Sequence, residues 1–166
     1  MHKYTIEVKW AVIFLFMMLA WMALERLAGL HGEHIDQHAF YTNFVAVPAI
    51  AVYVLALRDK RAHYYSGRMS YGQGVKAGLW LTLFVTVLSP VVQWLTSTLI
   101  TPDYFPNAIR YAVQTKQMSG AEAAAYFNLK NYLIEGTVGA FVMGMLTTFV
   151  VAFFTKNSQK AQLAAA

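Results

Sequence analysis

Four stretches without a single charged residue, 10–24, 44–57, 77–100 and 136–155, divide the chain. A bilayer core about 30 Å thick takes roughly 20 mostly apolar residues per crossing helix. Within lipid, a helix satisfies all of its backbone hydrogen bonds inside one segment. The third and fourth stretches reach spanning length alone, and the first two reach it with flanking residues such as 25–29 and 40–43. The pattern predicts an all-α integral membrane protein. Four transmembrane helices, about 6–29, 41–57, 75–100 and 131–155, form one bundle in a single domain covering 1–166. Composition agrees, because 58% of residues are hydrophobic and 13% charged, against about a quarter charged in soluble domains.

Charge placement gives the expected orientation. The net charge is +5, which by itself suits a nucleic-acid partner, but the cations are segregated. Lys3, Lys9, Arg58, Lys60, Arg61, Arg68, Lys76, Lys156 and Lys160 share one side of the expected membrane with only Glu7 and Asp59. The other side holds Arg26, Arg110, Lys116 and Lys130 against six carboxylates. This positive-inside asymmetry places both termini, including a tail at 157–166, and the 58–76 loop in the cytoplasm. It points to a multi-pass membrane protein and away from nucleic acid. There are no cysteines, so disulfides and thiolate metal sites are excluded. The first apolar stretch follows Lys3 and Lys9 as a signal peptide would. Glu25-Arg26 then follows it without an A-x-A site, so an uncleaved helix is expected.

The connections are short except one. Gly29 suits the stop of helix one, and a loop over 31–40 joins it to helix two as an antiparallel hairpin. Pro48 and Pro90 predict kinks in helices two and three. The segment 101–131 reads as a helical hairpin on the outer face. Thr101-Pro102 and Pro106 open helical turns there, and Ser119 with Glu122 has the spacing of a capping box. High helix propensity predicts that this second helix runs unbroken into helix four. Tyr104, Phe105, Tyr111, Tyr126, Phe127 and Tyr132 fit an interfacial aromatic belt.

Candidate functional residues fall into four groups. In helix four Gly136, Ala140, Gly144, Thr148 and Ala152 form a small-residue ridge at four-residue spacing. It suits close helix packing within the chain first, and dimerisation second. In the outer loop His31, His34 and His38 sit at i, i+3 and i+7. Imidazoles beside Glu33 and Asp36 suit a transition metal or a pH sensor, and the ordinary reading is a polar loop. Glu25, Arg26 and Glu135 are charges near the outer ends of helices one and four, with an Arg26–Glu135 ion pair expected. Arg58, Lys60, Arg61 and Arg68, with Tyr64 and Tyr65, form a basic surface for anionic lipid headgroups. The polar side of helix three, Ser89, Gln93, Thr96 and Ser97, suits interhelical hydrogen bonds more than a water path. No nucleotide-binding or catalytic template is matched, so the chain is expected to be no enzyme and to need no cofactor.

The blocks LAWMALERLAGLHGEHID, YTNFVAVPAIAVYVLALRDKR, LSPVVQWLTSTLITPDYFPNAIRYAV and AAAYFNLKNYLIEG resemble a family of small bacterial inner-membrane proteins, domain of unknown function 4199, found mainly in Bacteroidota. The resemblance covers most of residues 3–155. It implies the same helix number and location and brings no catalytic or ligand residues. The expected role is a non-enzymatic accessory or assembly subunit acting through membrane lipids, another membrane protein or a second copy of itself. The alternatives are a homo-oligomeric channel or transporter for a metal ion, proton or small solute, and a lipid-active or lipid-binding protein.

Overall fold

The computed structural model describes residues 3–157, which are almost wholly helical. The tail beyond Asn157 lies outside the described residues. Helix α1 spans Thr5–Leu27. Helix α2, Ile35–Tyr41, runs through a 3₁₀ turn, Thr42–Val45, into α3, Ala46–His63. Helix α4, Tyr71–Leu95, ends in a π turn, Thr96–Ile100. Helices α5, Tyr104–Gln114, and α6, Gly120–Tyr126, precede α7, Leu129–Thr155. Four helices, Thr5–Leu27, Ile35–His63, Tyr71–Ile100 and Leu129–Thr155, are long and apolar enough to cross a membrane. Large apolar side chains such as Phe16, Leu27, Val47, Val87 and Phe154 are exposed along them.

The small-residue ridge of α7 packs inside the chain, against α4, in the most extensive helix–helix contact. A Cβ added to Gly144 would stand 2.7 Å from both Thr82 Cγ2 and the Tyr53 hydroxyl, and one on Gly136 would overlap the Gln93 amide. Gly78 of α4 answers in kind, lying against Thr148. Close approach of backbones replaces the hydrophobic drive that is missing between helices in lipid. At the centre, the Tyr53 hydroxyl lies 3.0 Å from Thr82 Oγ1, which lies 3.2 Å from Thr148 Oγ1. Three helices, α3, α4 and α7, are thereby joined by buried hydroxyls, with Leu57, Leu81 and Val85 packed around them.

Both prolines are accommodated without breaking their helices. Pro48 lies in the first turn of α3, just after the 3₁₀ turn. The Phe44 carbonyl, which Pro48 leaves without its i+4 donor, is bonded instead at the end of that turn. Pro90 sits inside α4, and the helix loosens only further on, where the Thr101 N–H reaches the Thr96 carbonyl at 2.7 Å in π geometry.

Three element boundaries differ from expectation, each for a local reason. Residues 35–40 are helical, because α2 continues into the second span. Helix α4 starts at Tyr71, since Ser70 and Gln73 form a capping box. The α6–α7 helix is broken at Phe127–Asn128. Asn128 caps α7 by accepting the Asn131 N–H at 3.0 Å. The side-chain amides of Asn128 and Asn131 close the end of α6 by donating to the Ala125 carbonyl. The Ser119–Glu122 capping box is present, and its bonds from Ser119 hold the Glu122 carboxyl below the usual range.

The end carrying the 63–71 turn is clamped by charge. Lys60 and Glu7 are both buried, 2.9 Å apart. Lys60 also donates to the Lys3 carbonyl at 2.6 Å and lies over the Tyr64 ring. Arg61 donates to the Thr155 carbonyl at 2.8 Å. Two of the four cations assigned to headgroups are therefore engaged within the protein, Lys60 because a buried cation needs fixed partners and half-buried Arg61 through its bond to α7. Arg58 and Arg68 remain exposed. Beside them Asp59 accepts from Lys9, from Trp10 at 2.7 Å and from His63 at 2.7 Å.

The α4–α7 contact yields a direct comparison. Gly144→Val should destabilise the protein by about 1–3 kcal/mol through overpacking, measured by titrating the micelle-bound protein with a denaturing detergent. Gly139→Val, at a glycine with open space around it, should be close to neutral.

Candidate functional site

The site at the opposite end, beside the α5–α6 hairpin, begins with how α1 stops. Gly29 adopts φ +77°, the left-handed conformation open to glycine at a helix C-terminus. The Leu30 N–H bonds the Glu25 carbonyl and the Gly29 N–H bonds the Arg26 carbonyl, both at 3.0 Å. This pair of bonds is the Schellman motif. It folds the chain back over the last turn of α1, so that His31 arrives above Glu25. The Gly29 carbonyl then accepts from Gly32 and His34. Helix α2 begins at Ile35, and one turn later His38 faces the same carboxylate.

Glu25, 2% exposed, is the centre of the arrangement. Its Oε1 accepts from the Trp21 indole at 2.6 Å, one turn earlier on α1. Its Oε2 accepts from His31 Nε2 at 3.1 Å. His38 Nε2 lies 3.5 Å from the same oxygen without hydrogen-bond geometry. His31 Nδ1 and His38 Nε2 are buried and have no hydrogen-bond partner. A buried polar atom left in this way costs about 1–3 kcal/mol. Glu25, His31 and His38 each offer a ligand atom, and these atoms lie within 4.8 Å of one another.

Aromatic rings close the site. Tyr104, the first residue of α5, stacks its ring 5.2 Å from His31 and 5.3 Å from His38, centroid to centroid. Tyr132 and Phe105 pack behind it. Burial pushes the Tyr104 phenol up to about 12, and the negative charge of Glu25 adds to the shift. Asn107 of α5 donates to the His31 carbonyl at 2.9 Å and pins the turn to the hairpin. A cleft of about 420 Å³ opens beside the cluster, with His31, His34, Asp103, Tyr104 and Asn107 among its walls.

The expected site residues divide. His31 and His38 come together, though not on one helical face, because residues 28–34 form turns and only 35–41 are helical. They meet by wrapping around Glu25. His34 does not join them. It stands at the residue before α2 without a side-chain capping bond, is exposed, and lies against Gly29. Glu33 and Asp36 are also exposed and outside the cluster. Arg26 points away from Glu25 and donates to the Ile100 carbonyl at the end of the π turn. Glu135 is exposed, and among the described residues no ion pair joins it to Arg26. Of the aromatic residues of the 101–132 segment, Tyr104 packs against both histidines, with Phe105 and Tyr132 behind it. Trp21, Tyr104 and Asn107 were not foreseen as site residues. Trp21 carries a sequence signal, its i, i+4 spacing from Glu25.

A family model described as a protein of unknown function (DUF4199) matches residues 9–157. The chain belongs to the DUF4199 family. No curated protein and no solved structure matches it. The match takes in both ends of this DUF4199 chain, the Lys9–Asp59 clamp as well as the Glu25 cluster.

The Schellman turn is open to a single substitution. Gly29→Ala forces a left-handed alanine, and its Cβ would stand 3.1 Å from His34 Cδ2. It should cost about 1–2 kcal/mol in detergent unfolding. It should also raise amide hydrogen exchange across residues 28–34, while exchange in α4 and α7 stays unchanged.

Proposed function

We propose that this protein is a multi-pass component of the bacterial inner membrane that acts as a non-enzymatic accessory or assembly subunit, through protein or lipid partners. In this reading the termini and the basic 58–76 turn are cytoplasmic, and the α5–α6 hairpin lies outside. The four spans form a bundle, and exposed Arg58 and Arg68 meet anionic headgroups. Segregation of Lys and Arg to the end that holds the 63–71 turn supports this orientation.

The observation that carries the reading is the closed middle of the molecule. Helices α4 and α7 approach until Gly78 meets Thr148 and Gly144 meets Thr82 and Tyr53. Tyr53, Thr82 and Thr148 bond one another there. Charged groups of the spans cluster at the ends. Such a chain is built to stand in a membrane and present its two ends. A homo-oligomeric channel would have to place its pathway between copies, with exposed Glu135 as the nearest charge.

Two measurements test the reading. The chain has no cysteine, so a single introduced one reports its own side. Gln117→Cys in intact cells should react with an impermeant maleimide, and Arg68→Cys should react only after lysis; the reverse would invert the orientation. Native mass spectrometry of protein taken gently from its own membrane should show a foreign polypeptide at fixed stoichiometry. A homo-oligomer that conducts ions in liposomes would replace the subunit reading with the channel.

A further inference from the structure

The two buried carboxylates of α1 are treated differently. At the basic end Glu7 meets Lys60, whose remaining donors go to the Lys3 carbonyl and whose charge lies over Tyr64. Among the described residues, no buried side-chain polar atom at that end lacks a partner. At the hairpin end, one carboxylate faces two imidazoles and the ring nitrogens are left over. His31 Nε2 and Glu25 already satisfy each other, so a structural role needs only one histidine. The second, His38, brings its Nε2 to the same oxygen and gains no hydrogen bond from it.

We propose that Glu25, His31 and His38 bind one divalent first-row transition-metal ion, Zn²⁺ fitting best, through Glu25 Oε2 and the Nε2 atoms of both histidines. Ligands about 2.0–2.1 Å from Zn²⁺ in a tetrahedron lie about 3.4 Å apart. The two histidine nitrogens lie 3.1 and 3.5 Å from Glu25 Oε2. The donor set, two imidazoles and a carboxylate, suits Zn²⁺ and its neighbours and not a thiolate-seeking ion. Binding frees His31 Nε2 by shifting the proton of the neutral ring to Nδ1, with no net proton lost from the ring. The Trp21 indole remains on Glu25 Oε1 as an outer hydrogen bond that orients the ligand. His31, one of the three ligand residues, also lines the 420 Å³ cleft, with Tyr104 beside it. Three protein ligands leave a fourth position open, the pattern of a site that exchanges its ion or holds a small ligand. The inference is independent of the partner reading, since metal occupancy is measured on the isolated chain.

The test is Co²⁺ titration of the purified, detergent-solubilised chain carrying no histidine tag. Wild type should bind one Co²⁺ per chain with the visible absorption of a four- or five-coordinate site, and Zn²⁺ should displace it. His31→Gln and His38→Gln should each weaken binding by at least about 100-fold, more than outer-ligand changes cost. His34→Gln should leave it unchanged. If His31→Gln fails to fold, His38→Gln decides alone, because His38 Nε2 has no hydrogen-bond partner for the substitution to remove. Added Zn²⁺ should raise the thermal midpoint of wild type and of His34→Gln, and not that of His38→Gln. Wild type that binds Co²⁺ no more tightly than His38→Gln overturns the assignment. So does a loss in His34→Gln equal to that in His38→Gln.

Discussion

A polar group held between lipid-facing helices is costly unless it finds a partner within the protein, and this pressure shapes each level of the molecule. The strongest case is Glu25. Its carboxylate sits at the last turn of α1, buried, and draws in Trp21 from its own helix, His31 from the turn after it and His38 from α2. Those contacts fix the angle at which the chain leaves α1 and enters the second span. Tyr104 and Asn107 then dock the α5–α6 hairpin on the same point.

The same rule explains the opposite end and the middle. Glu7 and Lys60 hold α1 to α3, Asp59 gathers Lys9, Trp10 and His63, and Arg61 reaches the last carbonyl of α7. Between the ends, the buried hydroxyls of Tyr53, Thr82 and Thr148 bond one another and join α3, α4 and α7. The α4–α7 seam is tight because glycine sits opposite threonine in both directions. Stiff helices joined by a tight seam leave the adaptable chemistry to the two ends, where a partner or a ligand can reach it.

Much of this was legible in the residues. Four uncharged stretches announce four spans, since few other structures bury so much apolar chain. Gly29 signals the stop of α1, and the Ser119–Glu122 spacing is a capping box in fact. The ridge from Gly136 to Ala152 packs within the chain. What escaped depends on three-dimensional competition. Asn128 and Asn131 overrule the helix propensity around them by capping two helices at once, a choice that propensity does not contain. Lys60 looks like its neighbours Arg58 and Arg61, yet the helix rotation that buries it against Glu7 follows only from how α1 and α3 meet. His34 carried the same spacing signal as His31 and His38. The Schellman bonds that bring His31 onto Glu25 interrupt the helical periodicity on which that signal relied. Glu25 and the histidines were separate candidates in sequence and are one group in space.

The central claim is that the buried Glu25 carboxylate holds the hairpin end together through His31. A double-mutant cycle with Glu25→Gln, His31→Gln and the pair, read by detergent unfolding, tests it most directly. The account predicts a coupling of about 1–3 kcal/mol, as found for residues in one hydrogen-bonded network. Losses that add to within about 0.5 kcal/mol would contradict it.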